Sequence, residues 1–597
     1  MKKIVSSQNF WLIIILLLGA AYSRKPHINH NRSITSDGKG YYAFLPAAFI
    51  YHDFDFNFFR NYEYKHYSDF VKDHRIFTVD INGNTINKYF TGISVLLLPF
   101  FLLAHALALM FDLEADGYSN IYQYAVLIAS LFYSSLALFF IDRAFKKLQF
   151  STKAILLSKI FLLFGSNFLQ SAYNEPSMAH VYGFFMSTVI FERALSYFET
   201  KKMSVLFVLF LSLGLSFAMR PTNLLMSFFI VLAAGSFSEF WKNTVAIAFN
   251  YKAILTCIGG FLIFGLLNYI YWFYETGSPF VDTYMGEKLD LLHPHFFDYM
   301  FSSERGIFIH QPLMLIGLVG YLNFRTNEKN RKLLGLFFSF LIIYILSSWW
   351  CWHFLSRFGN RSITDFLLLF ALGIAYLVDN YKGIKSNTLA IVILLLSSYN
   401  LFYLWQHNKA IIPGTYLSFS EMPKYFFKTL PLAESNINPD KIIKIETYEH
   451  NMETNLGWSN EHGLNSEMAF ESKQSCKIDS NNQFGILRNF NLPRFSLKDS
   501  ILIRMSANFH TNASDSETRF VFQFYKNGKN ARYDARFIKH FVSPNKWHKV
   551  ELEFRYTEEF DADSVTVYVW NPGKDEITYY DNLKYEVVYC ENLVEDE

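Results

Sequence analysis

The chain has 597 residues, of which 51% are hydrophobic, 19% aromatic and 18% charged, and its 54 Lys and Arg nearly balance its 52 Asp and Glu. This composition excludes a disordered or collagen-like chain, because there is ample apolar surface to bury, and a net charge of +2 offers no basic field for nucleic acid. Residues 5–406 form long uncharged stretches, whereas the sequence from residue 431 onward is typical of a soluble, polar domain.

Eleven uncharged or nearly uncharged runs are long enough to cross a bilayer, since a spanning helix needs about 20 predominantly apolar residues. They lie at residues 5–23, 120–141, 154–174, 176–191, 203–219, 221–238, 253–274, 306–324, 333–352, 362–378 and 386–406. A twelfth run, Tyr89 to Phe111, is also long enough, and its placement decides the sidedness of every later loop.

Lys and Arg in the short loops fix that sidedness. If residues 89–111 do not cross, the loops on one side carry 15 Lys and Arg and those on the other side carry 5. Because such residues stay in the cytoplasm, we predict a polytopic α-helical membrane protein of about 11 spans, with a cytoplasmic N-terminus. Residues 24–119 then form a large first outer loop, and 89–111 an interfacial or re-entrant helix on the outer face. Reading the first run as a cleaved signal peptide leaves the same loop outside.

Most unusual polar residues of the membrane part fall on this outer side, at the ends of predicted spans. They are Asp37, Tyr41, Tyr42, Lys88, Glu175, His180, Arg220, Arg305, Arg357 and Arg361. Ionisable groups that converge at the mouth of a helix bundle predict a functional site. Taken singly, Asp37-Gly38 also fits a surface turn, Glu175 a helix-terminal acid, and the arginines headgroup anchors. The helix-mouth tryptophans Trp349, Trp350 and Trp352 fit either an interfacial belt or a platform for a sugar ring.

The last part of the chain changes its hydrophobic period. Four segments, 501–505, 519–524, 549–554 and 564–569, alternate or run apolar, and turn sequences such as Asn571-Pro572-Gly573 divide them. This pattern predicts an all-β sandwich. We therefore divide the chain into a transmembrane domain (1–406), a linker (407–434) and an exported domain (435–597). An oxidising compartment would allow a disulfide between Cys476 and Cys590.

These polar residues, in this order, resemble those of the GT-C superfamily of membrane glycosyltransferases, especially protein O-mannosyltransferases and the lipid A aminoarabinose transferase. That family carries an acid in the first outer loop ahead of a Tyr-containing helix, and Asp37 followed by Tyr41 matches it. Lys88 matches a lysine that opens an interfacial helix in the family, and Glu175 matches an outer-face acid after the third helix. In the family, arginines in later outer loops contact the lipid-linked phosphate, and Arg357 or Arg361 matches these more loosely.

The resemblance covers roughly residues 1–405 and has departures. The family's Pro-Pro after the lysine is absent, and Asp37 is followed by Gly38 instead of a second acid. Segments 36–42 and 174–177 also look like those of membrane proteins of the Bacteroidetes group, which places the chain in a bacterial inner membrane with its C-terminal domain in the periplasm. Segments 567–570 and 579–584 resemble jelly-roll carbohydrate-binding modules.

The resemblance implies transfer of a single sugar, with inversion, from a polyprenyl-phosphate donor of undecaprenyl type to an acceptor hydroxyl on the outer face. Asp37 is then the general base, and the donor phosphate is bound by Lys88, Arg357, Arg361 and Tyr41. Substrate contacts or a second acid are assigned to Glu175, Tyr42, His180, Arg220 and Arg305. No cofactor is certain, and a divalent cation shared by Asp37 and Glu175 is an option. The partners are a glycan, lipid or protein acceptor and membrane lipids.

Two other classes of function stay open. A lipid-glycan transporter or polymerase is also polytopic with outer-face arginines, although it would place ionisable residues at midplane in repeated halves or in a large late loop. A non-catalytic membrane protein that binds glycan through the sandwich is the second. Eleven spans exceed what a membrane anchor needs. If a tagged sugar is transferred from polyprenyl phosphate, and if this transfer requires Asp37, the protein is an enzyme and neither of the two alternatives.

Overall fold

A computed structural model describes most of the chain. The described residues are 7–23, 33–59, 77–81, 83–322, 328–354, 358–408, 411–412, 419, 422–429, 442–453, 458–460, 463–492, 499–513, 516–539, 541–556, 562–573 and 576–591. The chain divides into two compact units, one mainly before His407 and one mainly after Lys424.

The first unit is helical, with one short hairpin. Its helices are α1 (Ser7–Ser23), α2 (Asp37–Pro46), α3 (Gly92–Met110), α4 (Asn120–Lys147), α5 (Thr152–Phe164), α6 (Ala179–Thr200), α7 (Met203–Met219), α8 (Phe228–Ala234), α9 (Phe237–Ala248), α10 (Tyr251–Gly265), α11 (Leu267–Thr276), α12 (Phe296–Phe301), α13 (Ile307–His310), α14 (Pro312–Val319), α15 (Lys329–Ser347), α16 (Leu367–Asn380) and α17 (Gly383–Asn408). A further short helix, α18 (Met422–Tyr425), lies where the chain passes from the first unit to the second. The hairpin pairs β1 (Thr78–Ile81) with β2 (Asn84–Asn87). Short 3₁₀ segments at Pro221–Ser227 and Arg361–Phe366 lead into α8 and α16.

The apolar helices make this a multi-pass membrane protein. Within the described ranges, five helices are long and apolar enough to cross a bilayer, or seven if each of two bent pairs is one span. The five are α3, α4, α15, α17 and the continuous segment Arg361–Asn380. Shorter apolar helices lie at Gln8–Ala20, Met203–Met219 and Pro312–Leu322. The count of eleven crossings and the place of α3 on the outer face stay predictions, because α3 itself is long and apolar enough to cross.

Several of the predicted spans are broken, among them the run at 221–238, which bends by 107° between Pro221–Ala234 and α9. The run at 253–274 bends by 47° between α10 and α11, and the run at 306–324 divides into α13 and α14. The basic loops between helices contact one another: Lys147 pairs with Glu199, the Ser151 backbone N–H donates to Asp379 over 3.0 Å, and Lys201 bonds to Asn243. These contacts gather the loops with the most Lys and Arg at one end of the helical unit.

The second unit is an antiparallel β-sandwich. Its strands are β3 (Ile442–His450), β4 (Leu464–Asn465), β5 (Ser475–Ile478), β6 (Phe484–Asn491), β7 (Asp499–Thr511), β8 (Arg519–Lys526), β9 (Lys529–Phe537), β10 (Trp547–Tyr556), β11 (Ser564–Trp570) and β12 (Thr578–Glu591). One sheet has the order β10-β7-β12-β5-β4 with β3 beside β12, and the other has the order β6-β11-β8-β9. The four segments predicted as strands lie within β7, β8, β10 and β11.

Both sheets of the sandwich bury side chains in one core. Phe509 and Tyr580 from the first sheet pack with Phe522 and Val567 from the second, and all four are fully buried. Apolar residues at alternate positions of facing strands produce this arrangement. Cys476 lies in the same core as a free thiol, so the disulfide that we considered with Cys590 is not formed.

Candidate active site

A cavity of about 540 Å³ lies in the helical unit, where the ends of several helices and two long loops meet. Its polar lining consists of Asp37, Tyr41, Lys88, Tyr89, His180, Arg220, Thr222, Asn223, Asp282, Tyr284, Glu287, Arg361, Ser362 and Asp365. Six of these residues were singled out in the sequence, although up to 324 positions separate them along the chain: Asp37, Tyr41, Lys88, His180, Arg220 and Arg361. The fold therefore brings together residues that the sequence places on the same side of the membrane.

The first turn of α2 presents Asp37 to this cavity. The helix begins at Asp37, directly after Ser36, whose φ of 48° turns the chain sharply. Two glycines then allow neighbouring segments to approach: a Cβ at Gly38 would lie 1.9 Å from the Ser177 hydroxyl, and a Cβ at Gly40 would lie 2.3 Å from the Tyr89 ring. Asp37-Gly38 is thus a packed helix start at the cavity wall and not a surface turn.

Asp37 is held by two polar neighbours. The Arg361 guanidinium donates to the Asp37 carboxylate over 3.0 Å, and the Tyr89 hydroxyl interacts with the same carboxylate. Burial, and then the negative charge of Asp37, raises the pKa of Tyr89 far above its usual value, so Tyr89 stays a hydrogen-bond donor. The ring of Tyr41 lies 4.8 Å from that of Tyr89, and this pair completes the wall beside Asp37.

A capped 3₁₀ turn positions Arg361. Asn360 precedes it and is fully buried, and its side-chain oxygen accepts a hydrogen bond from the Ser362 backbone N–H over 3.1 Å. The carbonyl of Asn360 accepts from the Asn167 side chain over 2.7 Å, which ties this turn to the end of α5. Arg361 therefore reaches Asp37 from a rigid support.

Lys88 also lines the cavity, next to a long loop that follows α11. Its ammonium forms an ion pair with Glu287 and stands 4.9 Å from the centre of the Tyr284 ring. The Thr283 hydroxyl donates to the Lys88 carbonyl over 2.9 Å, which ties the loop to the same backbone. The preceding residue, Asn87, is fully buried and donates to the Gly40 carbonyl over 2.8 Å. Lys88 and α2 are thereby held in one framework.

Asp365 is a buried carboxylate that the sequence analysis did not identify. It accepts from Arg220 and lies 3.0 Å from the His180 ring nitrogen. Its position depends on Gly183, where a Cβ would lie 2.5 Å from the carboxylate. Burial opposes the charge of Arg220, but the Asp365 carboxylate, together with Tyr41 and Tyr284, outweighs burial and raises the pKa of this arginine. The signal in the sequence was a single acid inside the otherwise uncharged run 362–378.

Arg220 keeps hydrogen-bonding capacity beyond its bond to Asp365. It stands at the junction of α7 with the segment Pro221–Ser227, and its Nε is buried without a hydrogen-bond partner in the described part of the chain. A buried donor without a partner is costly, so a ligand acceptor at this position would be favourable. Arg220 is therefore placed to bind an anion in the cavity.

The other residues predicted for the site lie elsewhere. Tyr42 is buried against Phe101 and Tyr118, Glu175 accepts from Gln170 over 3.3 Å, and Arg305 is buried and donates to the Glu304 carbonyl over 2.6 Å. None of these three lines the cavity. Arg357 lies outside the described residues. Trp349 and Trp350 line the cavity, whereas Trp352 stacks on His295 with ring centres 6.0 Å apart.

The rest of the lining is apolar. It includes Phe90, Met178, Leu289, Ile345, Leu346, Phe354 and Phe366. An apolar wall next to a group of cations suits an amphipathic ligand, whose charged end meets the cations while its chain lies on the wall. In the part of the chain that the structure describes, no group of three or more His, Cys, Asp and Glu side chains is arranged to hold a metal ion. The divalent cation stays a prediction.

Comparisons with known proteins place the chain near two kinds of structure. No family model and no curated protein matches it. An oligosaccharyltransferase from Archaeoglobus fulgidus aligns with a TM-score of 0.38 and 14% identity, over 68% of this chain and 53% of its own. An arabinosyltransferase from Mycobacterium smegmatis aligns with a TM-score of 0.37 and 9% identity, over 97% of this chain and 64% of its own.

Carbohydrate-binding modules are also among the similar structures. A family 22 module from Clostridium thermocellum aligns with a TM-score of 0.19 and 19% identity, over 27% of this chain and 99% of its own. Both resemblances identified in the sequence, to membrane glycosyltransferases and to carbohydrate-binding modules, are thus found again among solved structures. Because these TM-scores are below 0.5, we argue the function from the residues of the cavity and not from these likenesses.

Proposed function

We propose that this protein transfers one sugar from a polyprenyl-phosphate donor of undecaprenyl type to an acceptor hydroxyl. In this proposal the cavity opens on the periplasmic face of a bacterial inner membrane, and eleven spans place the N-terminus in the cytoplasm. The observation that carries the proposal is the contact between Asp37 and Arg361, in a cavity that also contains Lys88 and Arg220. A base and several phosphate-binding cations stand together beside an apolar wall.

The reaction requires one bond to form as another breaks. The acceptor oxygen attacks the anomeric carbon, the bond from that carbon to the phosphate oxygen breaks, and the configuration inverts. Asp37 takes the hydroxyl proton as general base, and the hydrogen bond that it accepts from Arg361 orients the carboxylate. The electron pair of the broken bond goes to the lipid phosphate, which leaves as a monoester.

Positive charge must stabilise the departing phosphate more in the transition state than in the bound donor. Arg361 uses one of its five N–H donors on Asp37, so the others can reach a phosphate oxygen. The unpartnered Nε of Arg220 and the ammonium of Lys88 supply further positive charge. Tyr284 and Trp349, whose rings lie 6.0 Å apart, offer faces against which a sugar or prenyl group can pack.

Asp37→Asn tests the assignment of the base. The amide keeps the shape and can still accept from Arg361, but it cannot take a proton, so we expect transfer to fall by about 10²–10⁴-fold. The measurement is the transfer of label from a labelled undecaprenyl-phosphate sugar by membranes that contain the full-length protein. The acceptor is the envelope fraction of cells that lack this protein. Asp55→Asn, the same change at an exposed site in the same outer loop, is the matched control and should transfer normally. Substantial transfer by Asp37→Asn would refute the assignment.

A further inference from the structure

Helix α9 makes a sharp angle with the helical segment before it. It follows the segment Pro221–Ala234 with a bend of 107°, and α10 begins three residues after its end. Gly235 makes the bend with a φ of 84°, and a Cβ there would lie 2.8 Å from the Arg331 guanidinium. The Ser236 hydroxyl caps the new helix by accepting from the Glu239 backbone N–H over 3.2 Å. The turn is therefore fixed by a glycine and a helix cap and is not a frayed helix end.

The surface of α9 is divided into distinct faces, and the helix contains no buried residue. Phe237, Trp241 and Val245 recur every fourth position and form one exposed stripe, with 63%, 60% and 36% of their surface accessible. Ser238 and Lys242 occupy the exposed side next to this stripe. Three large apolar side chains in a row, two of them more than half exposed, need a partner other than water.

The exposed apolar surface continues from α9 into α10. Phe249 in the connection and Tyr251 at the start of α10 are strongly exposed, as are Leu255 and Ile258 further along α10. Together with α11, helix α10 is long and apolar enough to cross a bilayer as a bent pair. Lipid chains are the expected surroundings of such residues on a membrane helix. Because α9 is joined at both ends to apolar helices, its stripe lies within reach of the same bilayer.

Charges around α9 match a membrane surface. Lys201 bonds to Asn243 of α9 and is followed in the chain by Lys202, Lys242 lies on the helix itself, and Lys252 lies four residues after its end. These lysines lie at the end of the unit where the basic loops meet. Lysines near an apolar, Trp-containing helix face fit the phosphate headgroups of a leaflet. An aromatic residue at this depth is also typical of the membrane interface.

We propose that α9 lies in the plane of the membrane, with Phe237, Trp241 and Val245 inserted at the boundary between headgroups and acyl chains of the leaflet at the basic end. The partner is the lipid surface itself. The proposal stands independently of the sugar transfer proposed above, because no residue of α9 lines the cavity.

Photocrosslinking tests the orientation of the helix in the full-length protein. Benzoyl-phenylalanine replaces Phe237, Trp241, Ser238 or Ala246, one at a time, and the protein is reconstituted in vesicles of phosphatidylethanolamine and phosphatidylglycerol that carry a labelled acyl chain. We expect several-fold more lipid adduct from positions 237 and 241 than from positions 238 and 246. Position 245 gives a second reading of the same stripe if one variant fails to fold.

Two results would overturn the proposal. Equal lipid adducts at all four positions would mean that α9 is immersed in the bilayer as part of a broken span. Adducts to protein and not to lipid at positions 237 and 241 would mean that another polypeptide covers the stripe. A strong bias of lipid adducts to 237, 241 and 245 supports an interfacial helix.

Discussion

At the level of single residues, three cations of the cavity already contact carboxylates: Lys88 pairs with Glu287, Arg220 with Asp365 and Arg361 with Asp37. The pairs differ in burial. Asp365 is fully buried and also contacts His180, so its bond to Arg220 is part of the framework. Removal of one partner from such a buried pair is strongly destabilising.

The pair between Lys88 and Glu287 is more exposed, with 19% and 30% of the two side chains accessible. Solvent weakens such a pair to about 1 kcal/mol or less. Glu287 lies directly after Gly286, whose φ is 97°, in the loop between α11 and α12. An anion that enters the cavity can therefore compete with Glu287 for Lys88.

Glu287→Gln should improve donor binding if Lys88 receives the donor phosphate. The substitution removes the competing negative charge. We expect the KM for the lipid-phosphate donor to fall by about two- to fivefold, which corresponds to the free energy of a partly exposed ion pair. The measurement is the initial rate of transfer at varied donor concentration. Asp290→Asn, in the same loop but outside the cavity lining, should leave KM unchanged. A higher KM for Glu287→Gln would mean that this carboxylate itself binds substrate.

At the level of secondary structure, the start of α2 depends on the absence of a side chain at Gly38. The nearest atoms to a Cβ there are the hydroxyl and Cβ of Ser177, at 1.9 and 2.6 Å, followed by the Ser177 carbonyl carbon at 3.0 Å. A methyl group at Gly38 must therefore push α2 away from the segment before α6. Asp37 is the adjacent residue and would move with the helix.

Gly38→Ala is expected to lower kcat/KM by about 10²-fold, because a displacement of the base by about 1 Å is enough to lose productive geometry. The double variant with Ser177→Gly removes the two closest atoms and should recover part of the activity. Gly259→Ala in α10 is the control, since no heavy atom lies within 4 Å of a Cβ at that position. The proposed packing is wrong if Gly38→Ala alone transfers at the normal rate in membranes with equal amounts of protein.

At the level of the whole molecule, the sequence predicted the division into apolar helices and strands, because the hydrophobic period changes at a clear point in the chain. It also predicted much of the cavity. Asp37, Lys88, Arg220 and Arg361 stand at the ends of apolar runs, and helix ends on the same side of a bundle can meet. The Lys and Arg of short loops are enough to predict on which side of the membrane each loop lies, but they do not predict which loops contact one another.

The remaining parts of the site could not be predicted from the sequence. Glu287 and Tyr284 lie in a long loop whose path no local pattern determines, and Asp365 is hidden in an apolar run. Most of helix α9 lies between the predicted spans 221–238 and 253–274, in a loop that the charge count, with Lys242 and Lys252, assigned to the cytoplasm; the spacing of Phe237, Trp241 and Val245 did not enter that count. Close contacts such as Gly38 with Ser177 depend on tertiary packing, which one sequence does not reveal.

The predicted sidedness can be measured at three positions of the full-length chain. Lys288 lies in the loop beside the cavity, Lys382 lies between α16 and α17, and Asp112 follows α3; all three are exposed. Each is replaced in turn, as Lys288→Cys, Lys382→Cys and Asp112→Cys, and treated with a maleimide that does not cross membranes. The unsubstituted chain gives the background from its four native cysteines.

We expect the reagent to label Lys288→Cys and Asp112→Cys in intact spheroplasts, and Lys382→Cys only after the membrane is opened. The reason is that the basic loops stay in the cytoplasm, which puts the cavity outside and keeps both ends of α3 on the outer face. Labelling of Asp112→Cys only after opening would mean that α3 crosses the bilayer, as its length of 19 residues allows. Labelling of Lys382→Cys from outside would place the basic end in the periplasm. The cavity would then open on the cytoplasmic side, opposite to the side on which we expect the lipid-linked donor.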